Sequence, residues 1–459
     1  MKLINNPLAV WLLAAFVLAP AVVCAGEGPA PAAPAPQVDQ PQPASVRRPY
    51  RGIFGGPADP NSKQALTLTG SIFGAYDDDV FAADSGSNVP LGGSSNSSGY
   101  YGGLSAGADY SRNTDRVSFG LLGNVGVNRY VAQHQTAPIY STAANISAKV
   151  ARRTTVSAGA GLVYAPEYRL GLFISPTSLT GALDPFNTVA PDYDLFSLEA
   201  YRTSASVTLS QALGQRSALE GWYSLMNVNY VHEAFDYRSQ AGGGRFTHRL
   251  TRNLGVRLGY SYGEANYNNQ QAVRPQRIHN IEAGVDYSRA LSFSRRTTFS
   301  FSTGSAVLVR DKALGGFDGN RSSFQVIGNA SLTHEIGRTW TAQLAYRRAV
   351  DFREGFYDPF LTDGASASLG GLLSRRVRFS SSIDYALGSV GVTRSNNFHS
   401  ASANAGLEVG LTRNLAFYGR YVYYAYDFDA EVALDSRFPR KLDRQGVRIG
   451  LTAFVPVLR

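Results

Sequence analysis

Six histidines, His134, His232, His248, His279, His334 and His399, are the side chains best suited to metal binding or proton transfer. Their spacing supports neither. His232-Glu233 and His334-Glu335 lack the second histidine four residues on that would put two imidazoles on one helical face. Serine is abundant, but no GxSxG nucleophile elbow is expected, and a Ser-His-acid hydrolase needs a geometry that sequence alone does not supply. The run SAGAGL from Ser157 to Leu162 has the glycines of a phosphate loop without its Lys-Ser/Thr ending. No cofactor is implied, and the chain is not expected to be an enzyme.

The charged residues are more informative, because many interrupt an apolar alternation at the same phase. From Leu254 to Gly263, Leu254, Val256, Leu258, Tyr260 and Tyr262 fall on one side, and Gly255, Arg257, Gly259, Ser261 and Gly263 on the other. A period of two is a β-strand with unlike faces. Val156 to Tyr164 and Ala401 to Val409 carry the same phasing. Runs of roughly 9 to 13 residues are longer than most soluble strands and long enough to cross a bilayer at a tilt.

If the apolar face meets lipid, the other lines an interior, because a lipid-facing charge costs roughly 2–4 kcal/mol at mid-membrane. That assignment points Lys149, Arg202, Arg245, Arg249, Arg257, Arg347, Arg378, Arg420 and Arg448 inward, with Asp109, Glu282, Asp286, Asp384 and Glu408. Two readings of this pore-lining set stand side by side. Its excess of cations makes the interior mildly anion-preferring, or the charges pair with one another and brace a wide barrel. Tyr418, Tyr424 and Tyr426 share the inward phase and either fill the lumen or offer a stacking path for sugars. Tyr164, Tyr230, Tyr260, Tyr262 and Tyr346 toward one end, and Tyr110, Tyr287 and Trp340 toward the other, suit interfacial girdles.

The elements that position these residues are hairpins. Short, Arg-bearing turns recur at SRNTDR, KVARRTT, LGQRS, LTRNL, SFSRRTT, IGRTW, LSRRVRF and again LTRNL. Longer connections rich in Gly, Asn, Asp and Pro lie between them. Counting a strand on each side of every tight turn, and adding the runs from Ala65 to Tyr76 and Gly446 to Val457, gives about 18 antiparallel strands. A β-propeller also repeats near 40 residues, but its blades hold four short strands, whereas each repeat here holds two long ones.

Composition agrees. The chain has 47 Gly, 26 Tyr and 24 Phe with two Met, a profile of short aromatic-rich strands. Its +9 formal charge, from 43 basic and 34 acidic residues, is spread along the chain, which fits an electropositive interior or rim better than a nucleic-acid surface. Residues 1–25, with Lys2, an apolar run from Leu8 to Val23 and a small-residue stop at Ala25, are expected to be a secretory signal peptide. Cleavage there would remove Cys24, the only cysteine. Lipidation of Cys24 is the competing reading, and bulky Val23 disfavours it. Residues 26–63 are a Pro/Ala-rich periplasmic leader, too short for the plug of a TonB-dependent transporter, and 64–459 form the barrel.

The span from Gln64 to Arg459, best seen in the unit IHNIEAGVDYSRALSFSRRTTFSFSTGSAVLVR from Ile278 to Arg310, resembles bacterial outer-membrane β-barrels of the porin type. It is more distantly similar to barrels of exopolysaccharide export. The chain ends FVPVLR where such barrels commonly end in Phe. The resemblance implies an all-β transmembrane barrel in a Gram-negative outer membrane, surrounded by lipid and lipopolysaccharide and assembled by the barrel-assembly machinery. The implied function is passive diffusion of small hydrophilic solutes, anions among them. Polysaccharide exit with periplasmic partners, and a structural barrel with a filled lumen, are the alternatives. A further expectation is that the connection from about Ala165 to Ser197 folds inward and narrows the pore.

Overall fold

In a computed structural model, residues 63–78, 98–131, 134–166, 199–230, 236–267, 276–291, 296–309, 322–352, 359–391, 396–432 and 440–458 are described. The signal peptide, all of the leader except Lys63, and the connection expected to narrow the pore, except Ala165 and Pro166, lie outside the described residues.

Eighteen strands follow in order: β1 (Gln64–Asp77), β2 (Gly99–Asn113), β3 (Val117–Tyr130), β4 (Gln135–Ala151), β5 (Thr154–Pro166) and β6 (Glu199–Ala212). Next come β7 (Ser217–Tyr230), β8 (Tyr237–Arg249), β9 (Leu254–Tyr267), β10 (Gln276–Ala290), β11 (Thr297–Val309) and β12 (Ser322–Ile336). The series ends with β13 (Trp340–Asp351), β14 (Phe360–Ser374), β15 (Val377–Val390), β16 (Asn397–Gly410), β17 (Leu415–Phe428) and β18 (Lys441–Leu458). Each pairs antiparallel with its neighbours in sequence, and β1 pairs with β18 as well as β2. The sheet closes into an 18-stranded barrel. Closure satisfies backbone groups that hydrocarbon could not solvate, which is what allows strands to span a bilayer.

Even-numbered strands are followed by short connections such as 114–116, 152–153, 337–339 and 375–376. Odd-numbered strands precede the long ones, including 78–98 and 167–198. Both ends of the barrel therefore open on the short-turn side. The two LTRNL copies close hairpins β8–β9 and β16–β17 in the same way. The amides of Leu250 and Thr251 donate to the Leu254 carbonyl at 2.9 and 3.0 Å, and those of Leu411 and Thr412 to the Leu415 carbonyl at 3.0 and 3.1 Å. The Thr251 hydroxyl accepts from the Asn253 amide at 3.2 Å, and the Thr412 hydroxyl from the Asn414 amide at 3.3 Å. Threonine's ability to bond backbone two residues on is what selects it for the turn.

Residues paired across an antiparallel ladder share a face, so the register sorts the wall into two surfaces. Ile72 lies beside Leu104 and Leu451, Leu258 beside Phe246 and Ala283, and Ile383 beside Ala367 and Ala403. This face leaves large apolar side chains open, with Ile72 56%, Leu258 61% and Ile383 63% exposed. A continuous apolar exterior of that kind belongs in lipid. The opposite face is glycine, serine, threonine and charge over most of its height, with large aromatics toward the long-loop end.

Tyr260, Tyr262 and Tyr346 stand on the outer face, and Tyr140 stacks on Tyr164 there at 4.5 Å between ring centroids. Tyr230 differs from the girdle expectation. It pairs with Ala200 and packs against a buried inner-face cluster of Val228, Tyr237 and Ala265, because even positions of β7 face inward.

Candidate functional site

The concave side is fixed by contacts that skip strands. Phe352, just past β13, packs with Ala200, Val228, Tyr237 and Ala265 of β6 to β9. Non-adjacent strands of a barrel can share such a cluster only across its interior. Extending the alternation from these residues defines the lumenal face of every strand.

On that face the register places all fourteen charged residues of the sequence-derived set. Arg257, opposite Thr247 and Gly284, ion-pairs with Asp286 at 3.2 Å and approaches Glu282 at 3.7 Å. It also donates to the Thr303 carbonyl at 2.8 Å. Arg245 pairs with Glu220 at 2.8 Å, both almost wholly buried. Arg249 lies beside Gly255, in the row that continues to Asp286. These six side chains make one charged belt along β7 to β10, tied together by register rather than by sequence proximity.

A second group spans the closure. Arg444 grips Asp77 with two hydrogen bonds of 2.8 and 2.5 Å, joining β18 to β1. The Arg448 guanidinium lies 4.1 Å from the Phe73 ring centroid and donates to the Tyr101 hydroxyl at 3.2 Å. Arg420 is opposite Arg448 in the ladder. Gly450 makes this stacking feasible: a Cβ there would lie 2.8 Å from the Phe73 Cβ and 2.9 Å from the Tyr418 ring. The three arginines, Asp77, Tyr101 and Tyr424 line one recess.

The rest are dispersed. Arg347 pairs with Asp351 at 3.3 Å, Arg378 faces Glu408 across the β15–β16 ladder, and Asp384 accepts from the Ser402 hydroxyl at 3.3 Å. Lys149 is beside Thr155 at the short-turn end, Arg202 between Val163 and Val228, and Asp109 between Thr67 and Leu122. Between the charges run hydroxyl contacts, Ser71 to Ser105 at 2.6 Å, Ser147 to Ser157 at 2.9 Å and Ser300 to Ser331 at 2.7 Å.

Sequence reasoning missed five further lumenal charges among the described residues: Asp77, Glu220, Glu335, Asp351 and Arg444. The signal was available for Glu220, which is one step out of phase with Leu219 and Tyr223. Asp77, Asp351 and Arg444 sit at strand ends, where acidic or Pro/Lys/Arg-rich sequence reads as loop. Their inclusion changes the charge balance. Nine cations against five acids become ten against nine among the described residues, with Arg245, Arg257, Arg347 and Arg444 each ion-paired to an acid, so the lumenal wall is closer to neutral than the first fourteen residues alone imply.

Tyr424 and Tyr426 are buried with Phe360, Phe398 and Phe428 in a cluster at the long-loop end, which makes them wall filling rather than a stacking path. Tyr418 packs beside the Phe73 and Tyr101 cluster. Gly259-Tyr260-Ser261-Tyr262-Gly263 matches the spacing of a hydrolase elbow, but it lies within β9, whereas an elbow needs a sharp strand-to-helix turn. His248, His279 and His334 each contact one hydroxyl, of Ser217, Tyr260 and Thr297, on the outer face. Among the described residues, no group of three or more side chains could hold a metal ion.

A closed 18-stranded ladder, apolar outside and polar inside, with tight turns at one end and long loops at the other, is the architecture of a transmembrane β-barrel of the bacterial outer membrane. No protein-family model and no curated protein matches the sequence. Solved structures similar to it include OpdQ of Pseudomonas aeruginosa, at 11% identity and TM-score 0.43, covering 86% of this chain and 98% of that one. OccAB4 of Acinetobacter baumannii is similar at 12% identity and TM-score 0.40, covering 87% and 100%. The outer membrane protein OprD of Pseudomonas aeruginosa is similar at 12% identity and TM-score 0.41, covering 89% and 96%.

Proposed function

We propose that this protein is a water-filled channel through which small hydrophilic solutes diffuse down their gradients. The observation that carries the reading is the lumenal face itself. Its charges, hydroxyls and glycines line a closed wall where a barrel without a solute path could fill the same positions with apolar side chains. Paired charges keep their net field small, so size sets most of the selectivity. The recess beside β17 and β18 adds a local preference. Arg420, Arg444 and Arg448 share it with Asp77, and a guanidinium cluster favours a carboxylate or phosphate on the passing solute.

Flux into proteoliposomes tests this. Neutral and singly charged sugars of matched size are compared, with vesicles lacking protein as background. The proposal expects all three to enter, the anionic sugar fastest, and Arg420→Gln to reduce the anion's advantage while leaving the neutral rate within about twofold. A neutral rate equal to the background would overturn the proposal.

A further inference from the structure

The ladder between β12 and β13 stops short of the strands' upper ends. β12 pairs with β11 along its whole length, up to Ser322 opposite Val309. It pairs with β13 only from Ile336 and Trp340 up to Gly328 and Arg348. β13 itself continues to Asp351, paired to Phe360 of β14. Above Arg348 the β13–β14 hairpin has therefore left β12.

Side-chain parity shows where it goes. Val350 should share the lipid-facing side of Leu344, Tyr346 and Arg348. Instead it is buried with Ile278 and Ala306, lumenal residues of β10 and β11, with Ile327 and Leu361 packed alongside. Phe352 reaches further, to within 3.9 Å of the position of a Cβ on Gly263 of β9. The upper hairpin has turned inward and lies across the lumenal face of four strands. Gly388 accommodates the bend, since a Cβ there would collide with the Leu361 carbonyl.

The separation is bridged on the outside by one residue. Arg348 Nε donates to the Val326 carbonyl of β12 at 3.0 Å, and its Nη1 donates to Asp363 of β14 at 2.8 Å. The Tyr346 hydroxyl donates to the other Asp363 oxygen at 2.5 Å. The bond to Val326 occurs two residues above the last ladder pair on β12, where backbone pairing has stopped. Charge-assisted bonds in a low-dielectric setting are stronger than the neutral rungs they stand in for.

We infer that Arg348, held by Asp363 and Tyr346, is a positioning residue: a latch on the lipid-facing side that fixes how far the upper β13–β14 hairpin projects into the lumen. It touches no solute. It acts by tying the base of the hairpin to β12 at the point of departure, so that Val350 and Phe352 stay seated on β9 to β11. The consequence for transport rests on the channel reading above; the structural role does not.

Arg348→Gln and Asp363→Asn test the latch, with Arg238→Gln, an outer-face arginine on β8, as control. Assembly is verified first by heat-modifiable migration in gel electrophoresis. Hydrogen exchange then reads the hairpin directly. Peptides covering 349–352 and 360–363 should exchange at least about tenfold faster in both latch variants, with the lower halves of β13 and β14 unchanged and the control like the parent protein. If Arg348→Gln does not assemble, Asp363→Asn carries the same test. In planar bilayers the latch variants should fluctuate among conductance levels several times more often than the parent. Unchanged exchange in an assembled latch variant would overturn the inference. Faster exchange in a protein that never conducts would uphold the latch and reject the channel.

Discussion

Replacing Glu220 with glutamine removes one charge from the buried Arg245–Glu220 pair while nearly preserving its volume. At 2.8 Å, and with an effective dielectric of about 20, the lost attraction is about 6 kcal/mol. Much of that was offset by desolvation in the parent protein, and breaking one side of such a pair typically costs roughly 3–5 kcal/mol because the remaining charge stays buried. Glutamine still offers an oxygen to Arg245, so about 3 kcal/mol is expected. Urea unfolding in lipid vesicles measures it, and Trp222, two residues from Glu220 on the same lumenal face of β7, reports the transition by fluorescence. The double variant Glu220→Gln, Arg245→Gln should recover most of the loss, since neither partner is then a stranded charge. A loss below about 1 kcal/mol for the single variant, with no recovery in the double, would refute the claim that these charges brace the wall. A second consequence concerns transport: an unbalanced Arg245 should move the reversal potential in a salt gradient toward anion preference.

Three other perturbations probe the hairpin turns, the two faces of the wall and the closing strands. Thr251→Ala and Thr412→Ala each remove a hydroxyl that caps a hairpin turn, and each should cost about 1 kcal/mol of unfolding free energy, additively, because the turns are far apart. Ile383→Arg should destabilise assembled barrel by roughly 2–4 kcal/mol, whereas Ser382→Arg, one residue away on the lumenal face, should cost less than about 1 kcal/mol; equal effects in the same vesicle unfolding assay would contradict the assignment of faces. Asp77→Asn breaks the grip of Arg444 across the closing strands and should cost about 3 kcal/mol, with faster hydrogen exchange confined to β1 and β18.

Much of the architecture was legible because a lipid-spanning strand must obey one simple rule. Leu254, Val256, Leu258 and Tyr260 alternate with Gly255, Arg257 and Gly259 for the whole width of a membrane, so period, strand length and relative facing of Arg257 could be read from letters alone. The tight turns were legible too, since Thr251 and Thr412 sit where a hydroxyl is needed. What alternation could not supply is register. Arg257 meets Asp286 and Arg245 meets Glu220 because adjacent strands slide to particular offsets, and offsets are set by turn length and stagger around the closed wall. The break between β12 and β13 was illegible for a different reason. The letters of β12 carry no Pro or charge above Gly328, and the charges that follow Arg348, at Asp351, Arg353 and Glu354, read only as the start of a loop; the departure is decided by where Val350 and Phe352 find apolar partners on strands far away in sequence.

Whether the barrel is an open channel is decided by single-channel recording of the purified protein in a planar bilayer. A water-filled lumen should give steady, stepwise ohmic conductance without any added partner, and a reversal potential in a salt gradient that shifts toward cations when Arg420 and Arg448 are both replaced by glutamine. A correctly assembled barrel that shows no conductance at any voltage would contradict it.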